Sequence, residues 1–489
     1  MTKTFFAVMS LALAVSAHGE RDVCAVTVTV NPESVVGAIK PMNAVNNGPI
    51  PSDFYSGQKR CNFVDYRAAH IPYARTHDAN LAYEYGAPHV VDVSALFPDF
   101  DADENNPTNY DFVCTDHYLD GIRRAGTEVF FRLGQSIEHM PRKYGALPPK
   151  DFAKWARISE HIIRHYNEGW GWGADKTPTA VNVAWSNQFN IAYWEIWNEP
   201  DLDVSDNVPP KSPRCWGGTV TNFFEFYEIA AKHLKGKFPY LRIGGPASCG
   251  KEEWAVRFLS YCRAHEVPLD FFSWHTYTTD PFKVSAKAAR IRKMMDDTGY
   301  AKSESILDEW NYVKGWGDDW IYSLEVQAGQ FNQRGAAFFA AVMADCQNAP
   351  VDMLMYYDAG VSTTMNGLFD IVTLKPIKGY YPFLAWSKLA SRGAQVACMV
   401  QEAVAGQFHA VAAKGEDGTL AVFVARYDRS GVATDTGGIL VRISGCPLAN
   451  ARCHVTDSVR TFTEVPLVMQ GDGSAIVTME PDSFILVEL

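Results

Sequence analysis

Eight short apolar segments, each long enough for a strand, recur between residues 39 and 357. Most of them are followed by an amphipathic stretch that is typical of a helix. This alternation favours a parallel sheet, and eight units favour a (β/α)8 TIM barrel with its active site at the carboxyl ends of the strands. An open doubly wound sheet would need a glycine-rich phosphate loop after its first strand, and none is present. The predicted barrel strands are residues 39–44, 73–76, 129–133, 192–196, 242–245, 271–274, 305–308 and 353–357.

The pattern changes after about residue 392 to short β-rich segments with turns between them, which are typical of a β-sandwich. The apolar segment from residue 24, ahead of the barrel, is expected to join this sandwich as an N-terminal strand. We therefore predict four parts of the chain: a signal peptide (1–17), an N-terminal sandwich strand (24–38), a catalytic barrel (39–392) and a β-sandwich (393–489). The expected sandwich strands are residues 411–413, 420–425, 439–443, 452–456, 474–477 and 484–487.

The first residues have the three parts of an export signal. Lys3 precedes an apolar run over residues 5–15, and Val15-Ser16-Ala17 has the small-residue spacing of a cleavage site. This run is too short to span a bilayer, and no other long apolar run follows, so no membrane span is expected. The expected location is therefore outside the cytoplasm, either secreted or periplasmic.

Ten cysteines follow this segment, and an exported chain permits disulfides. Cys446 with Cys453, and Cys249 with Cys262, are the candidate pairs; mostly free, buried thiols are the alternative. Spacing alone does not assign connectivity.

The charge of the chain restricts its partners. With 44 basic and 56 acidic side chains the formal net charge is −12, which argues against nucleic acid and anionic membrane surfaces. Thirteen Trp and 22 Tyr provide many flat aromatic faces of the kind that stack on sugar rings, so the expected partner is a carbohydrate. No feature of the sequence indicates an oligomeric state.

Polar residues follow the predicted strands, and two glutamates stand out among them. Glu199 follows the fourth strand and Glu309 the seventh, so both are expected at the barrel mouth. Cleavage of a glycosidic bond uses such a pair, one carboxyl protonated and the other ionised. Asp308 competes with Glu309 for this position, but strand alternation is expected to turn only one of them toward the mouth.

The order of these motifs resembles that of the retaining (β/α)8 glycosidases of clan A, and most closely glycoside hydrolase family 39, which includes β-xylosidases and α-L-iduronidases. The resemblance extends over roughly residues 25–489. The matching segments are His77-Asp78, Trp197-Asn198-Glu199-Pro200, the stretch 271–277, the stretch 307–311, and Lys375-Pro376 through Trp386.

This resemblance implies roles for several side chains. Glu199 matches the acid/base and Glu309 the nucleophile, while Asn198 matches the residue that hydrogen-bonds the sugar 2-hydroxyl. His77 and His275 match histidines that contact the sugar, and Tyr277 matches a residue near the nucleophile or the ring. No cofactor and no metal are implied.

The sequence departs from the family at three places. Asp78 adds a carboxylate after the second strand, where it is expected to bind sugar hydroxyls. Trp316, after strand seven, and the run Gly169-Trp170-Gly171-Trp172 are candidate rims for stacking a sugar. His161 and His165 lie one helical turn apart, but without a zinc-protease motif they are expected on a helix surface.

The favoured function is a retaining exo-glycosidase that releases terminal sugars from plant-type oligosaccharides or polysaccharides and is most like a β-xylosidase. Other clan A activities, namely α-L-arabinofuranosidase, galactosidase or iduronidase, are the alternatives, as is a noncatalytic carbohydrate-binding protein. An iduronidase needs cations to pair the uronate carboxylate. No basic cluster is evident at the strand ends, which ranks that activity lower.

Overall fold

The computed structural model describes residues 26–50, 61–77, 89–172, 189–203, 205–315, 320–361, 366–402, 406–429 and 438–489. Strand β1 (Val26–Ala38) belongs to a separate sheet, and the next eight strands close a parallel barrel in sequence order. The barrel strands are β2 (Ala44–Asn46), β3 (Tyr73–Arg75), β4 (Glu128–Leu133), β5 (Tyr193–Ile196), β6 (Arg242–Ser248), β7 (Phe271–Thr278), β8 (Glu304–Tyr312) and β9 (Met353–Tyr356).

All eight of these strands overlap the predicted ones, but the first does so only at Ala44. Residues 39–43 were expected to form most of it, but β2 begins at Ala44. Pro41 lacks the N–H that a central strand needs, and the Nζ of Lys40 instead donates to the carbonyls of Ala349 and Val351. The segment therefore leads into the barrel without belonging to it.

Side chains alternate between the inside and the outside of the barrel wall. Phe130 points into the interior, while Phe131, the next residue, packs with the surrounding helices. Buried on both faces, these strands consist largely of apolar and aromatic residues. The interior apolar layer that results forms a floor beneath the mouth and comprises Ala44, Phe130, Phe271, Ile306, Met353 and Met355.

A β-bulge interrupts this alternation in β8. Trp274 of β7 pairs with Leu307, but the next residue, His275, pairs with Glu309, so Asp308 is the extra residue. Leu307 and Trp310 both pack in the outer core, and the two acids between them turn inward. The expectation that strand alternation separates Asp308 from Glu309 is therefore wrong, because a bulge places two successive side chains on one side.

Helices surround the barrel, and several begin at a side-chain cap. Asp151 and Thr219 accept hydrogen bonds from backbone N–H groups three residues on, and Asp280 from the one two residues on. None of the helices in the described part of the chain is long and apolar enough to cross a bilayer. The helices of four or more residues are Phe63–Ala68, Val93–Leu96, Val113–Arg124, Phe152–Glu168, Val220–Lys237, Glu252–Ala264, Pro281–Asp297, Trp320–Phe331, Gln333–Gln347 and Tyr381–Ala390.

The remaining strands form one ten-stranded sheet that is curved around its own apolar core, as the predicted sandwich requires. β1 lies in its middle, antiparallel to β10 and parallel to β13, which confirms that an N-terminal strand completes this module. The C-terminal strands are β10 (Ala394–Glu402), β11 (Phe408–Lys414), β12 (Leu420–Arg426), β13 (Ile439–Ser444), β14 (Arg452–Thr456), β15 (Thr463–Val465), β16 (Val468–Met469), β17 (Ala475–Met479) and β18 (Ser483–Glu488).

The sheet packs on the barrel mainly through the helix Gln333–Gln347 and also contacts the helix Tyr381–Ala390. The helix Gln333–Gln347 lies against β11, β12 and β18, and its Arg334 forms an ion pair with Asp482 at 3.0 Å. Tyr427 donates its hydroxyl proton to the carbonyl of Thr279, in the loop after β7, over 2.6 Å. The sheet thus contacts a loop at the barrel mouth.

The predicted disulfides are absent from the described residues. All nine cysteines there are free, including Cys249, Cys262, Cys446 and Cys453. Cys446 follows β13 and Cys453 lies in β14, and these strands belong to opposite halves of the sheet. Cys262 lies at the far end of the helix that follows Cys249.

The position of β1 generates a stability prediction. Val28 is fully buried between β10 and β13, whereas Val35 on the same strand is 63% exposed. Val28→Ala should lower the free energy of unfolding by roughly 1–3 kcal/mol, because it leaves a cavity in the sandwich core. The matched change Val35→Ala should cost about 0.5 kcal/mol or less. Urea denaturation of both variants measures this, and equal effects would contradict the placement of β1.

Candidate active site

Glu199 is held at the end of β5 by an unusual backbone. Both Trp197 (φ 78°) and Glu199 (φ 48°) have left-handed φ angles, which non-glycine residues adopt rarely and mostly at functional sites. The N–H of Glu199 donates to the carbonyl of Ala247 over 2.9 Å, which ties this turn to β6. Gly134 makes room for the turn, because a Cβ there would lie 2.9 Å from the Cα of Trp197.

Glu309 reaches the same space from β8. One carboxylate oxygen of Glu199, one of Glu309 and a ring nitrogen of His275 all lie within 4.8 Å of one another. Both glutamates are almost fully buried. The structure therefore brings the two predicted carboxyls together from strands 110 residues apart in the sequence.

His275, from β7, lies between the two carboxyls. Its Nδ1 is 2.8 Å from Oε1 of Glu199 and 3.6 Å from Oε2 of Glu309, and its Nε2 is 3.6 Å from Asp308. Burial alone would lower the pKa of His275, but Glu309 and Asp308 outweigh it and hold this pKa well above the usual value. The imidazole is therefore protonated, and Nδ1 donates to Glu199.

Arg75, from β3, lies beneath both carboxyls and is fully buried. Its Nε is 2.7 Å from Glu195 and 3.0 Å from Asp308, and its Nη1 is 3.5 Å from Glu309. Its Nη2 donates to Oδ1 of Asn198 over 2.7 Å. One guanidinium thus fixes side chains from β5 and β8 and supplies a permanent positive charge under the site.

Glu195 and Asp308 form a second, deeper pair of acids around this guanidinium. Burial raises the pKa of Glu195, and Asp308 adds to that rise. Burial also opposes ionisation of Asp308, but Arg75 and His275 outweigh it and lower its pKa. The proton of this pair therefore resides on Glu195, and Asp308 is the anion that faces His275.

Three further predicted residues also reach the site. Tyr277 donates its hydroxyl proton to Oε1 of Glu309, and Nε2 of His77 is 3.7 Å from Oε2 of the same carboxyl. Burial and Arg75 hold the pKa of His77 well below its usual value, so this ring is neutral. Nδ2 of Asn198 and Nδ1 of His77 are buried without a hydrogen-bond partner among the described residues. Both atoms therefore retain unused hydrogen-bonding capacity within the described part of the site.

Two predicted residues, Asp78 and Trp316, lie outside the described residues and remain predictions. The tryptophans at 170 and 172 do not line the mouth. Their rings stack on His161 and His165 at centroid distances of 4.2 and 4.4 Å, at the carboxyl end of the helix Phe152–Glu168. Helices of such a barrel run opposite to the strands, so this end lies on the face away from the mouth. His165, expected on the helix surface, is buried and lies 3.2 Å from Asp116.

Sequence reasoning missed the buried roles of Arg75 and Glu195 and considered Asp308 only as a competitor of Glu309. A charged residue inside a strand that is otherwise apolar was the available indication for each of them. The two residues that follow β9 have different neighbours: Tyr357 lies edge-on to His77 at a centroid distance of 5.7 Å, whereas Asp358 accepts a hydrogen bond from the side chain of Asn47, which follows β2.

Glu199, His275 and Glu309 also have the composition of a metal site. One contact favours an acid–base pair instead: the guanidinium of Arg75 already faces Glu309 and supplies a positive charge there.

A parallel eight-stranded barrel with two converging glutamates at its mouth defines the architecture of barrel glycosidases. Residues 69–356 match the family model for glycosyl hydrolases family 39, which is more than half of the chain. The chain therefore belongs to glycosyl hydrolases family 39.

Similar proteins include a β-xylosidase of Geobacillus stearothermophilus, 29% identical over 184 residues. That alignment covers 35% of this chain and 31% of the relative, so the chain matches about a third of its length. Among solved structures, a glucosidase from Croceicoccus marinus has a TM-score of 0.71 at 20% identity over 95% of this chain and 98% of its own. A monomeric β-xylosidase from Caulobacter crescentus CB15 has a TM-score of 0.65 at 14% identity over 94% and 99%. These two structures share the fold.

The electrostatics of His275 generate a prediction. Glu309 is the strongest of the charges that raise its pKa, so Glu309→Gln should lower that pKa. Titration of the ring nitrogens by ¹⁵N NMR measures the shift, and the signals of His165 in the same spectra report whether the fold is intact. An unchanged or higher pKa for His275 would contradict the arrangement.

Proposed function

We propose that this protein is a retaining glycosidase that releases terminal sugars by double displacement and is most like a β-xylosidase. The observation that carries this proposal is the separation of the two carboxyls. Retaining enzymes hold theirs about 5–5.5 Å apart, whereas inverting enzymes need about 6.5–9.5 Å to admit a water. Oxygens of Glu199 and Glu309 within 4.8 Å fit the shorter class.

The two carboxyls have different surroundings, which suggests which of them is the nucleophile and which is the acid. Burial raises the pKa of Glu309, and the nearby Glu199 adds to this rise. Arg75 and the hydroxyl of Tyr277 oppose this rise, because both stabilise the anionic form of Glu309. These contacts support Glu309 as the nucleophile, which leaves Glu199 as the acid/base.

In the first step, the carboxylate of Glu309 attacks the anomeric carbon as the bond to the leaving oxygen breaks. Glu199 transfers its proton to that oxygen, and a covalent glycosyl–enzyme forms. In the second step, Glu199, now ionised, takes a proton from water, and the water oxygen displaces Glu309. Both steps invert the anomeric carbon, so the product retains the original configuration.

The neighbouring side chains assist each step. His275 donates to Oε1 of Glu199, which leaves Oε2 to carry the transferable proton. Arg75 and Tyr277 stabilise Glu309 as it regains its charge in the second step. The free Nδ2 of Asn198 is positioned for a hydroxyl of the bound sugar.

We take the expected sugar from proteins that this chain is similar to. The Geobacillus stearothermophilus protein is a β-xylosidase, so xylose is the first expected product.

A panel of p-nitrophenyl glycosides tests the proposal, with the anomer of the first product followed by NMR. We expect release from a pentoside with retention. Release of another sugar would reassign the specificity, inversion would contradict the mechanism, and no release from any glycoside would favour carbohydrate binding.

We further propose that the protein is exported and that residues 1–17 are removed. Lys3 and the apolar run at 5–15 support this, although they lie outside the described residues. The N-terminal mass of the protein recovered from outside the cytoplasm tests it. An uncleaved chain that stays in the cytoplasm would contradict it.

The acid role of Glu199 generates a prediction that depends on the leaving group. Glu199→Gln should lower kcat/KM for an alkyl or sugar leaving group by about 10²–10⁴-fold, because general-acid assistance is worth that much. A dinitrophenyl glycoside needs no proton, so its first step should be far less affected. Wild-type and variant rates for the two substrates test this. Equal losses on both would reject the acid role.

A further inference from the structure

A cavity of about 670 Å³ lies beside the active site, on the same side of the barrel. Its walls come from the end of β7, the first half of the helix Pro281–Asp297, the end of β8 and the end of β12 in the curved sheet. We call it the basic cavity because five of its twelve lining residues are basic and only Asp280 is acidic. The five are Lys283, Lys287, Arg290, Lys314 and Arg429.

The positive charges are only partly neutralised. Asp280 pairs with Arg429 at 2.8 Å, and Arg290 pairs with Glu252 at 2.9 Å. Lys314 is 4.0 Å from Glu325, and both side chains are well exposed, so this contact is weak. Lys283 has no ion-pair partner within the described ranges. In a chain with a net charge of −12, the cavity is a local region of positive charge.

Tyr277 connects the basic cavity to the reacting centre. Its hydroxyl donates to the carboxylate of Glu309, and the same residue lines the cavity. Neither Glu199 nor Glu309 lines it. A group in the cavity would therefore belong to a part of the substrate beyond the sugar at the carboxyls.

We propose that the basic cavity binds a carboxylate or sulfate carried by the sugar unit next to the bond that is cleaved. This inference rests on the proposed glycosidase function and adds to it an acidic oligosaccharide as the substrate class. Lysine and arginine pair with both kinds of anion, and a cleft lined by one sign of charge also attracts such substrates.

No sequence pattern indicates this cavity, because the residues that line it are far apart in the chain. Its basic residues come from three separate stretches of the chain, and Arg429 belongs to a different module. A search for basic residues at the strand ends misses this cluster, because three of its members, Lys283, Lys287 and Arg290, lie on one helix at spacings of four and three residues.

The test compares two substrates made from the sugar that the glycoside panel identifies. In one, the second sugar unit carries a carboxylate; in the other, that carboxyl is reduced to an alcohol. A second pair, with and without a sulfate ester at the same unit, distinguishes the two anions. The measured quantity is the ratio of kcat/KM for the charged substrate to that for its neutral counterpart.

The double variant Lys283→Gln/Lys314→Gln removes two charges from the cavity. Its matched control is Lys293→Gln/Lys302→Gln, which removes two exposed charges outside the cavity, one on the same helix and one just after it. We expect the wild type to prefer one of the charged substrates and the cavity variant to lose roughly fivefold to tenfold of that ratio, mainly through KM. The control should keep the wild-type ratio.

The outcomes separate the two proposals. Hydrolysis of the neutral compounds by the wild type tests the glycosidase function by itself. A wild type that does not prefer either anion, or a ratio that falls equally in both double variants, would overturn the inference about the cavity while the glycosidase function stands. Higher ionic strength should reduce the wild-type ratio, because screening weakens exposed charge pairs.

Discussion

The buried positive charge of Arg75 is the interaction on which the rest of the site depends. Removing a guanidinium from water costs several kcal/mol unless charged and hydrogen-bonding partners compensate for it. Here Glu195, Asp308 and Glu309 surround it, and the side-chain oxygens of Asn46 and Asn198 accept hydrogen bonds from it. Because these partners belong to β2, β5 and β8 or directly follow them, satisfying one guanidinium also fixes the relative positions of these strands. The relative positions of Glu199 and Glu309 therefore depend on how the protein compensates the buried charge of Arg75.

The bulge in β8 makes this arrangement possible. In an unbroken strand Asp308 would share the inner face with Ile306, whereas Glu309 would point outward with Leu307, and the mouth would lose its second carboxyl. With the bulge, His275 lies between Asp308 and Glu199 and remains protonated, so it can donate to the acid/base candidate. The deeper acid pair, the imidazolium and the two carboxyls at the mouth therefore form one connected layer above the apolar floor of the barrel.

Much of this architecture is predictable from the sequence, for physical reasons that also explain the failures. Seven barrel strands and the sandwich follow from apolar runs and turns, and Glu199 follows from its motif at a strand end. The prediction for 39–44 was wrong over residues 39–43, because Ile39, Pro41 and Met42 are apolar but do not form a strand. The bulge at Asp308 has no local sequence pattern, since it is set by pairing with β7. The basic cavity is likewise invisible, because Lys283 and Arg429 meet only in three dimensions.

The most direct test of the account is to trap the covalent intermediate. A 2-deoxy-2-fluoro glycoside with a good leaving group slows the second displacement, because the fluorine destabilises the oxocarbenium-like transition state. Mass spectrometry of the labelled, digested protein should then find one sugar attached, with fragmentation assigning it to Glu309. Attachment to Asp308 or Glu199, or turnover of ordinary glycosides with no trapped adduct under any condition of labelling, would contradict the assignment.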